Sequence, residues 1–249
     1  MVLYTILSVK SGHGKLNELL NSIKGISNAN LFTVSVDQIS VVVSDIKRAD
    51  LITDRTNAIA YAGVVEILAQ QFTLLPVRFG SMMESADAVI KMLEKNYQEI
   101  QQNLEKVENK FEFGLKIFCD SEKLKASLIS KSEVGASTNI NKIQEIKNTV
   151  FRDYVNKKLA AHRLEELLIS HVDSVIAVIK GHLAQLNTIS KFKKMLTETT
   201  IVDAVLLLDK ERKDPLINVI EGLQKHYPGL NFVLTGPWPP YNFVDFTIK

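Results

Sequence analysis

A glycine-rich turn ending in lysine, Ser11-Gly12-His13-Gly14-Lys15, directly follows the first predicted strand. A phosphate-binding loop combines such glycines with a lysine that reaches the phosphates and a Ser or Thr that reaches magnesium. In this chain Val9 stands where the first glycine of that motif belongs, and Leu16 stands where the Ser or Thr belongs. The sequence therefore predicts a plain strand-to-helix turn here and no nucleotide cofactor.

The histidines have spacings that do not suit a metal centre. On one helix, His162 and His171 point to opposite faces, and His171 and His182 share a face but lie about 16 Å apart. His162 with Glu165 and Glu166 lacks the second histidine of a zinc-binding helix. We therefore expect a solvated polar face here and no metal.

Nucleophilic catalysis has equally little support. The single cysteine, Cys119, has no histidine near it in the sequence, and no Gly-x-Ser-x-Gly elbow occurs. One cysteine forms neither an internal disulfide nor a multi-thiolate site, which fits a reducing cytoplasm. A histidine or aspartate from elsewhere could still approach Cys119, so a thiol enzyme stays open. The sequence itself predicts no catalytic residue and no enzyme.

Charge and hydropathy narrow the range of partners. The 249 residues carry 30 Lys plus Arg and 28 Asp plus Glu, a formal charge of +2. This balance disfavours binding driven by nucleic-acid phosphates or anionic lipid. The basic run Lys191-Phe192-Lys193-Lys194 is interpreted as the solvated end of a helix. We find no basic segment before the first apolar run and no window with the roughly 18 apolar residues of a membrane span. We expect no nucleic-acid partner and no membrane.

The elements that would position these groups begin with an α+β pattern. The predicted strands are Val2–Val9, Leu31–Val36, Ile39–Ser44 and Phe72–Val77, and the predicted helices are Lys15–Ile23 and the stretch from Thr53 or Asp54 to Gln71. The order βαββαβ predicts a ferredoxin-like amino-terminal domain over residues 1–110.

A long helical pattern follows Ser81 for about 25 residues, with an apolar residue at every third or fourth position from Ile90 to Val107. The seam could cover a sheet of its own chain or form an exposed coiled-coil strand. We favour the first interpretation because the run covers only about 2.5 heptads.

A second cycle of elements predicts a carboxy-terminal domain over residues 111–235. Its predicted elements are the strand Phe111–Phe118, helices over Glu122–Ile129 and from about Ile140 to Leu196 around a loop at Ser130–Asn139, the strand Ile201–Leu208, a helix from about Asp214 to Tyr227 and the strand Leu230–Thr235. The order β-α-α-β-α-β predicts a modified ferredoxin-like arrangement, so the fold class is α+β with two related domains joined by long helices. Residues 236–249 form a proline-rich extended tail.

Two stretches of the sequence resemble the signatures of one family. They are Leu74-Leu75-Pro76-Val77-Arg78-Phe79-Gly80 and Gly236-Pro237-Trp238-Pro239-Pro240-Tyr241. Together with the Val42–Asp45 strand end and the Phe113–Phe118 strand, they resemble the gas vesicle protein F and L family over nearly the whole chain. Within that family we favour the F type.

The resemblance implies a non-enzymatic accessory or minor structural protein of gas vesicles, located at the vesicle within the cytoplasm and contributing to buoyancy. It would act in shell nucleation and assembly by binding the hydrophobic main shell protein, and other gas vesicle proteins are further possible partners. The alternative is a small-molecule-binding or enzymatic ferredoxin-like protein, which a deep cavity with converging polar groups would favour.

The signature residues have structural interpretations. Pro76 ends a strand, Gly80 makes a turn and Arg78 anchors a carboxylate or carbonyl groups. We expect the tail to dock on the amino-terminal domain with Trp238 buried, because stiff prolines reduce the entropy lost on docking. An exposed proline-rich ligand for another protein is the other interpretation.

Overall fold

A computed structural model gives the structure of residues 1–9, 13–48, 51, 54–120, 122–124, 126–128, 149–195, 197 and 199–244. Within these residues the strands are β1 (Val2–Ser8), β2 (Leu31–Val36), β3 (Ile39–Ser44), β4 (Leu74–Pro76), β5 (Lys110–Cys119), β6 (Ile189–Lys194), β7 (Thr200–Asp209) and β8 (Leu230–Trp238). The helices are α1 (His13–Ser22), α2 (Arg55–Gln71), α3 (Ala86–Lys95), α4 (Tyr97–Val107), α5 (Thr149–Ala184) and α6 (Lys213–His226).

These elements form an α+β fold with two four-stranded antiparallel sheets, ordered β2-β3-β1-β4 and β6-β7-β5-β8. In the first sheet β1 pairs antiparallel with both β3 and β4. The strands β2 and β3 have the predicted bounds, and α2 begins after Asp54, whose side chain accepts a hydrogen bond from the Asn57 backbone N–H. The predicted βαββαβ order of the first half is confirmed.

Helices lie on both faces of the first sheet. On one face, Tyr4 and Val42 pack with Leu16 of α1 and with Val65 and Leu68 of α2. The other helix pair, α3 and α4, contacts β4 and β2. The seam residues Leu93, Ile100, Leu104 and Val107 are buried, so the seam covers a sheet of its own chain.

The predicted single helix after Ser81 is two helices, because Asn96 interrupts it. Asn96 has φ −113 and ψ 15, and its side chain donates to the Met92 carbonyl oxygen over 2.8 Å. Asparagine competes with the helical backbone for such carbonyls.

The prediction of a helix up to Leu196 is wrong. Helix α5 ends at Ala184, Asn187 adopts a positive φ of 52, and Ile189–Lys194 forms strand β6. A left-handed asparagine just after a helix is a common stop. Among the elements whose bounds are given above, the order from β5 to β8 is βαββαβ. The Lys191–Lys194 run lies on an edge strand rather than on a helix end.

The last strand is longer than predicted, since β8 runs to Trp238 rather than to Thr235. By contact density the chain divides into two compact units, residues 1–113 with 207–211 and 236–249, and residues 114–206 with 212–235. Residues 122–124 and 126–128 are helical, within the predicted segment Glu122–Ile129. The predicted loop at Ser130–Asn139 and the predicted helix start near Ile140 lie outside the described residues.

Candidate functional site

The first signature begins in β4 and continues into a turn. Leu75 is buried and pairs with Ile6 of β1, and the Thr5 hydroxyl donates to the Leu75 carbonyl oxygen over 2.8 Å. Pro76 pairs with Thr5 at the end of the strand. Proline has no backbone N–H to donate, and a strand end tolerates this because the ladder does not continue. The geometry at Pro76 agrees with the expected strand end.

The turn after Pro76 depends on Gly80. Gly80 has a φ of 86, a left-handed value that favours glycine, and the Ser81 N–H donates to the Arg78 carbonyl oxygen over 3.1 Å. The side chain of Arg78 is exposed. The anchoring role expected for its guanidinium stays a prediction.

Tyr61 of α2 holds this turn from inside. Its hydroxyl donates to the carbonyl oxygens of Tyr4, at 2.9 Å, and of Val77. Its ring stacks on Tyr4 with centroids 5.1 Å apart and lies 5.3 Å from the ring of Phe79. Burial raises the pKa of Tyr61 above its ordinary value, and ionisation of Tyr241 or Tyr4 would raise it further. The phenol is therefore kept neutral as a hydrogen-bond donor.

The backbone of the closing signature is tightly packed at Gly236. Gly236 has a φ of 116, and a Cβ there would lie 2.9 Å from the Glu112 carbonyl oxygen and 3.1 Å from the Phe113 ring. The Gly236–Pro237 peptide is cis. Glycine is required at this position both for its backbone angle and for the close approach of β5.

Beyond the signature, a buried carboxylate fixes the chain. Glu112 of β5 is only 4% exposed, and it accepts hydrogen bonds from the Asn242 backbone N–H at 2.7 Å and from the Asn242 side-chain amide at 2.5 Å. Phe243 follows and is fully buried. Pro239 and Pro240 are also buried. These contacts hold residues 239–243 against the rest of their unit.

The two large aromatic residues of the closing signature are half-exposed. Trp238 is 42% exposed and Tyr241 is 43% exposed. The expectation that Trp238 is a buried anchor is therefore wrong, and Phe243 is the buried aromatic residue instead. Desolvation raises the pKa of Tyr241 to about 12, with further contributions from the charges of Glu66 and Glu112.

Lys210 adds a cation beside the end of α2. Its ammonium donates to the Ala69 carbonyl oxygen over 3.0 Å and lies 4.5 Å from the centroid of the Phe111 ring. Burial lowers the pKa of Lys210. A cation suits the carbonyl groups at the carboxyl end of a helix, so Lys210 contributes to fixing α2.

The structure brings the two signatures to one helix. Phe79 of the first signature contacts Tyr61 of α2. Tyr241 of the second lies near enough to the same helix that Glu66 raises the pKa of Tyr241 and ionisation of Tyr241 would raise the pKa of Tyr61. We call these residues, with Glu112 and Asn242, the signature cluster. Sequence reasoning missed four members of this cluster, Tyr61, Glu66, Glu112 and Asn242, and it also missed the neighbouring residues Phe243 and Lys210. The one available signal was an acidic residue, Glu112, between two phenylalanines of a predicted strand.

A polar groove of about 380 Å³ lies elsewhere in the same unit. Its charged lining residues are Lys15 of α1, Glu105 of α4 and Glu108 directly after α4, and Tyr97 and Gln101 also line it. Lys15 is the lysine of the glycine-rich turn, whose residues 11 and 12 lie outside the described part of the chain.

The described residues were also searched for metal-binding groups and for helices that could span a membrane. They contain no group of three or more His, Cys, Asp or Glu side chains arranged to hold a metal ion. His162 lies 3.5 Å from Glu166 on an exposed helix face, and Cys119 is buried.

Contrary to expectation, Lys157–Ala184 is long and apolar enough to cross a membrane by length and composition alone. Core helices pass the same test, and Val172 and Val175 in this stretch are buried.

Fold and site together define a mixed α and β protein in which a closing segment is fixed beside a central helix by a buried carboxylate. The sequence profile of the family described as "Gas vesicle synthesis protein GvpL/GvpF" matches residues 1–245. The chain belongs to this family, as its two signatures predict.

Relatives of both types are similar to this chain. Gas vesicle protein F1 of Halobacterium salinarum is 24% identical over 230 residues, which is 91% of this chain and 87% of the relative. Gas vesicle protein L of a Streptomyces species is 22% identical over 191 residues, which is 74% of this chain and 67% of the relative. The preference for the F type stays a prediction.

A solved structure confirms the fold. The crystal structure of gas vesicle protein GvpF from Anabaena sp. superposes with a TM-score of 0.76 at 20% identity, covering 99% of this chain and 96% of that one. The GvpF structure from Microcystis aeruginosa gives a TM-score of 0.75 at 19% identity, covering 98% of each chain.

Proposed function

We propose that this chain is a non-enzymatic accessory or minor structural protein of gas vesicles that acts in shell nucleation and assembly. In this role it binds the hydrophobic main shell protein, at the vesicle within the cytoplasm. The family match over residues 1–245 carries the proposal. The chemistry required is apolar contact, because a hydrophobic shell protein must be shielded from water before it assembles.

The half-exposed aromatic residues of the closing signature support this role. Trp238 and Tyr241 present apolar surface to solvent while Phe243 and the Glu112 to Asn242 hydrogen bonds fix the segment that carries them. Tryptophan and tyrosine are the residues most enriched in the energetic centres of protein interfaces. A pre-ordered segment also loses little conformational entropy when a partner binds.

The fold supports two further parts of the proposal. The order β2-β3-β1-β4 with βαββαβ connectivity supports a ferredoxin-like arrangement of the first sheet, and the same pattern recurs in the order β6-β7-β5-β8. The tail docks on the amino-terminal domain in this proposal. Two observations support this docking: Tyr241 lies near enough to Glu66 of α2 for that carboxylate to raise its pKa, and Pro240 lines a small cavity with Ala69 and Leu74.

Co-purification with the main shell protein tests the proposal. We expect a tagged form of this chain to retain the shell protein in buffer containing about 0.5 M salt, because screening weakens charge attraction but leaves apolar burial largely intact. Deleting this chain from a vesicle-forming cell should reduce the number of vesicles. Complete loss of the shell protein in high salt, or unchanged vesicle formation without this chain, would refute the proposed mechanism.

The groove beside Lys15 supports the alternative of a small-molecule-binding or enzymatic protein, because polar groups from several elements line it. Calorimetry with magnesium ATP tests one version of that alternative. We expect no specific binding, since Val9 and Leu16 break the phosphate-loop pattern. Micromolar binding that disappears in Lys15→Ala would favour the alternative.

A further inference from the structure

Strand β6 is the outer strand of the second sheet, beside β7. Among the residues that the structure describes, no strand pairs with its outer side. Every side chain from Ile189 to Lys194 is exposed or half-exposed, and Ile189 is 44% exposed. An outer strand of this kind presents N–H and C=O groups that can pair with another extended chain.

The charges of β6 have one sign. Its sequence Ile189-Ser-Lys-Phe-Lys-Lys194 contains three lysines and no acidic residue. Even-numbered residues of the strand contact α5: Lys194 pairs with Asp173 at 2.6 Å, and Lys180 lies 5.4 Å from the centroid of the Phe192 ring. Lys191 also has a contact of its own, and it remains an exposed cation. Because side chains alternate along a strand, Lys191 and Lys193 lie with Ile189 on the opposite side.

This charge pattern selects among occupants of the edge. A second copy of the chain pairing through β6 would bring lysines close to lysines, and like charges on neighbouring strands are destabilising. An acidic strand would instead place carboxylates beside Lys191 and Lys193. The lysines that prevent self-association thus leave an acidic segment as the complementary occupant.

We propose that β6 is a docking edge for an extended acidic segment of a partner protein, which adds to the second sheet as a further strand. Backbone hydrogen bonds to β6 give the affinity, and the side chains set the sequence preference. The preferred segment has carboxylates two residues apart, facing Lys191 and Lys193, and an apolar residue beside Ile189. The proposal does not depend on binding of the shell protein.

A labelled peptide tests the charge requirement. We would titrate the full chain into a fluorescein-labelled peptide that has glutamate, glutamate and valine at successive alternate positions, with threonine between them, and follow fluorescence anisotropy. We expect saturable binding that weakens as salt rises. The double variant Lys191→Glu/Lys193→Glu should weaken binding by about tenfold or more, because two attractions become repulsions. Absence of saturable binding by the unaltered chain would overturn the proposal.

The matched control is Lys213→Glu/Lys225→Glu, which makes the same change in net charge at exposed positions of α6. We expect it to change the affinity by less than about twofold, because cross-strand pairs act only between direct neighbours. Equal weakening by both double variants would mean general attraction to a cation-bearing protein and would overturn the proposal.

A second peptide tests the strand geometry. N-methylation of every second backbone nitrogen keeps the charges of the peptide but removes the donors along one edge. We would compare one peptide methylated at the odd-numbered nitrogens with one methylated at the even-numbered nitrogens. We expect one of them to lose binding and the other to keep it. Equal binding by both peptides would exclude strand addition. Dimerisation of the chain that Lys191→Glu/Lys193→Glu abolishes would show a second copy as the occupant and would also overturn the proposal.

Discussion

Glu112 is a carboxylate in a strand of apolar residues, and its burial requires hydrogen-bond partners. Removing a charged group from water costs several kcal/mol unless donors replace the water. Asn242 supplies two donors, one from its backbone and one from its side chain, across 130 positions of sequence. This pair therefore determines where the closing segment lies.

A double-mutant cycle tests the pair. We expect Asn242→Ala to lower the free energy of unfolding by about 1.5–3 kcal/mol, the usual range for a hydrogen bond to a charged group. Glu112→Ala should make the second substitution nearly neutral, because the acceptor is already gone. Urea denaturation measures both changes, with Asn231→Ala at an exposed position of β8 as the control. Additive losses would show that the two residues do not act together.

Tyr241 gives the protein a specific response to alkaline pH. Its pKa rises from 10.0 to about 12 in the folded chain. The folded state therefore holds this proton more tightly than the unfolded state, so the contribution is complete below pH 10 and is lost as the pH rises toward 12. We expect Tyr241→Phe to reduce the fall in unfolding free energy over that interval. Denaturant titrations at several pH values measure this fall, and tyrosinate absorbance gives a second readout. If the unaltered chain and Tyr241→Phe lose stability in parallel, the prediction is wrong.

At the scale of elements, the sequence predicts best where local signals agree. Strands β2 and β3 have the predicted bounds because alternating apolar residues flank a two-residue turn, and Asp37 in that turn has a positive φ of 49. Strand β6 was missed because it is short and polar and follows a long helical pattern, so only Asn187 marked the boundary.

The contacts of the signature cluster could not be predicted in the same way. Periodicity indicates which face of an element is buried, but it does not identify the partner. Glu112 lies on the strand face opposite Phe113 and Leu115, so the pattern alone assigns it to solvent. Its burial depends on tertiary contacts, among them the two hydrogen bonds from Asn242. The family resemblance, which rests on the two signatures, does not give these contacts.

Alanine substitution at two glycines tests whether the local backbone and packing require glycine there. Gly63 lies inside α2, and a Cβ there would meet nothing within 4 Å. Gly63→Ala should therefore raise the free energy of unfolding by about 0.5–1 kcal/mol. Gly236→Ala should lower it by about 1–3 kcal/mol or more, because the φ of 116 is strained for alanine and the Glu112 carbonyl oxygen lies 2.9 Å away. Thermal unfolding distinguishes the two signs, and changes of the same sign would contradict this account.

At the scale of the whole molecule, residues from distant parts of the sequence gather near one helix. The two signatures are separated by the whole second cycle of elements, yet Phe79 contacts Tyr61 and ionisation of Tyr241 would raise the pKa of Tyr61. Burial is divided unequally within the closing segment, since Phe243 is inaccessible to solvent while Trp238 is 42% exposed. Stability and partner binding can therefore depend on different residues of the same segment.

Paired alanine substitutions separate these two contributions. Phe243→Ala should lower the free energy of unfolding by about 3–5 kcal/mol, as for other buried aromatic residues. Trp238→Ala should lower it by less than about 2 kcal/mol, because much of its surface is already in water. If the closing segment contacts the main shell protein, Trp238→Ala should also weaken its capture by about tenfold or more. Leu159→Ala, which removes a 52% exposed residue of α5, is the control and should leave capture unchanged. A Trp238→Ala protein that is folded and captures the shell protein normally would place the binding surface elsewhere.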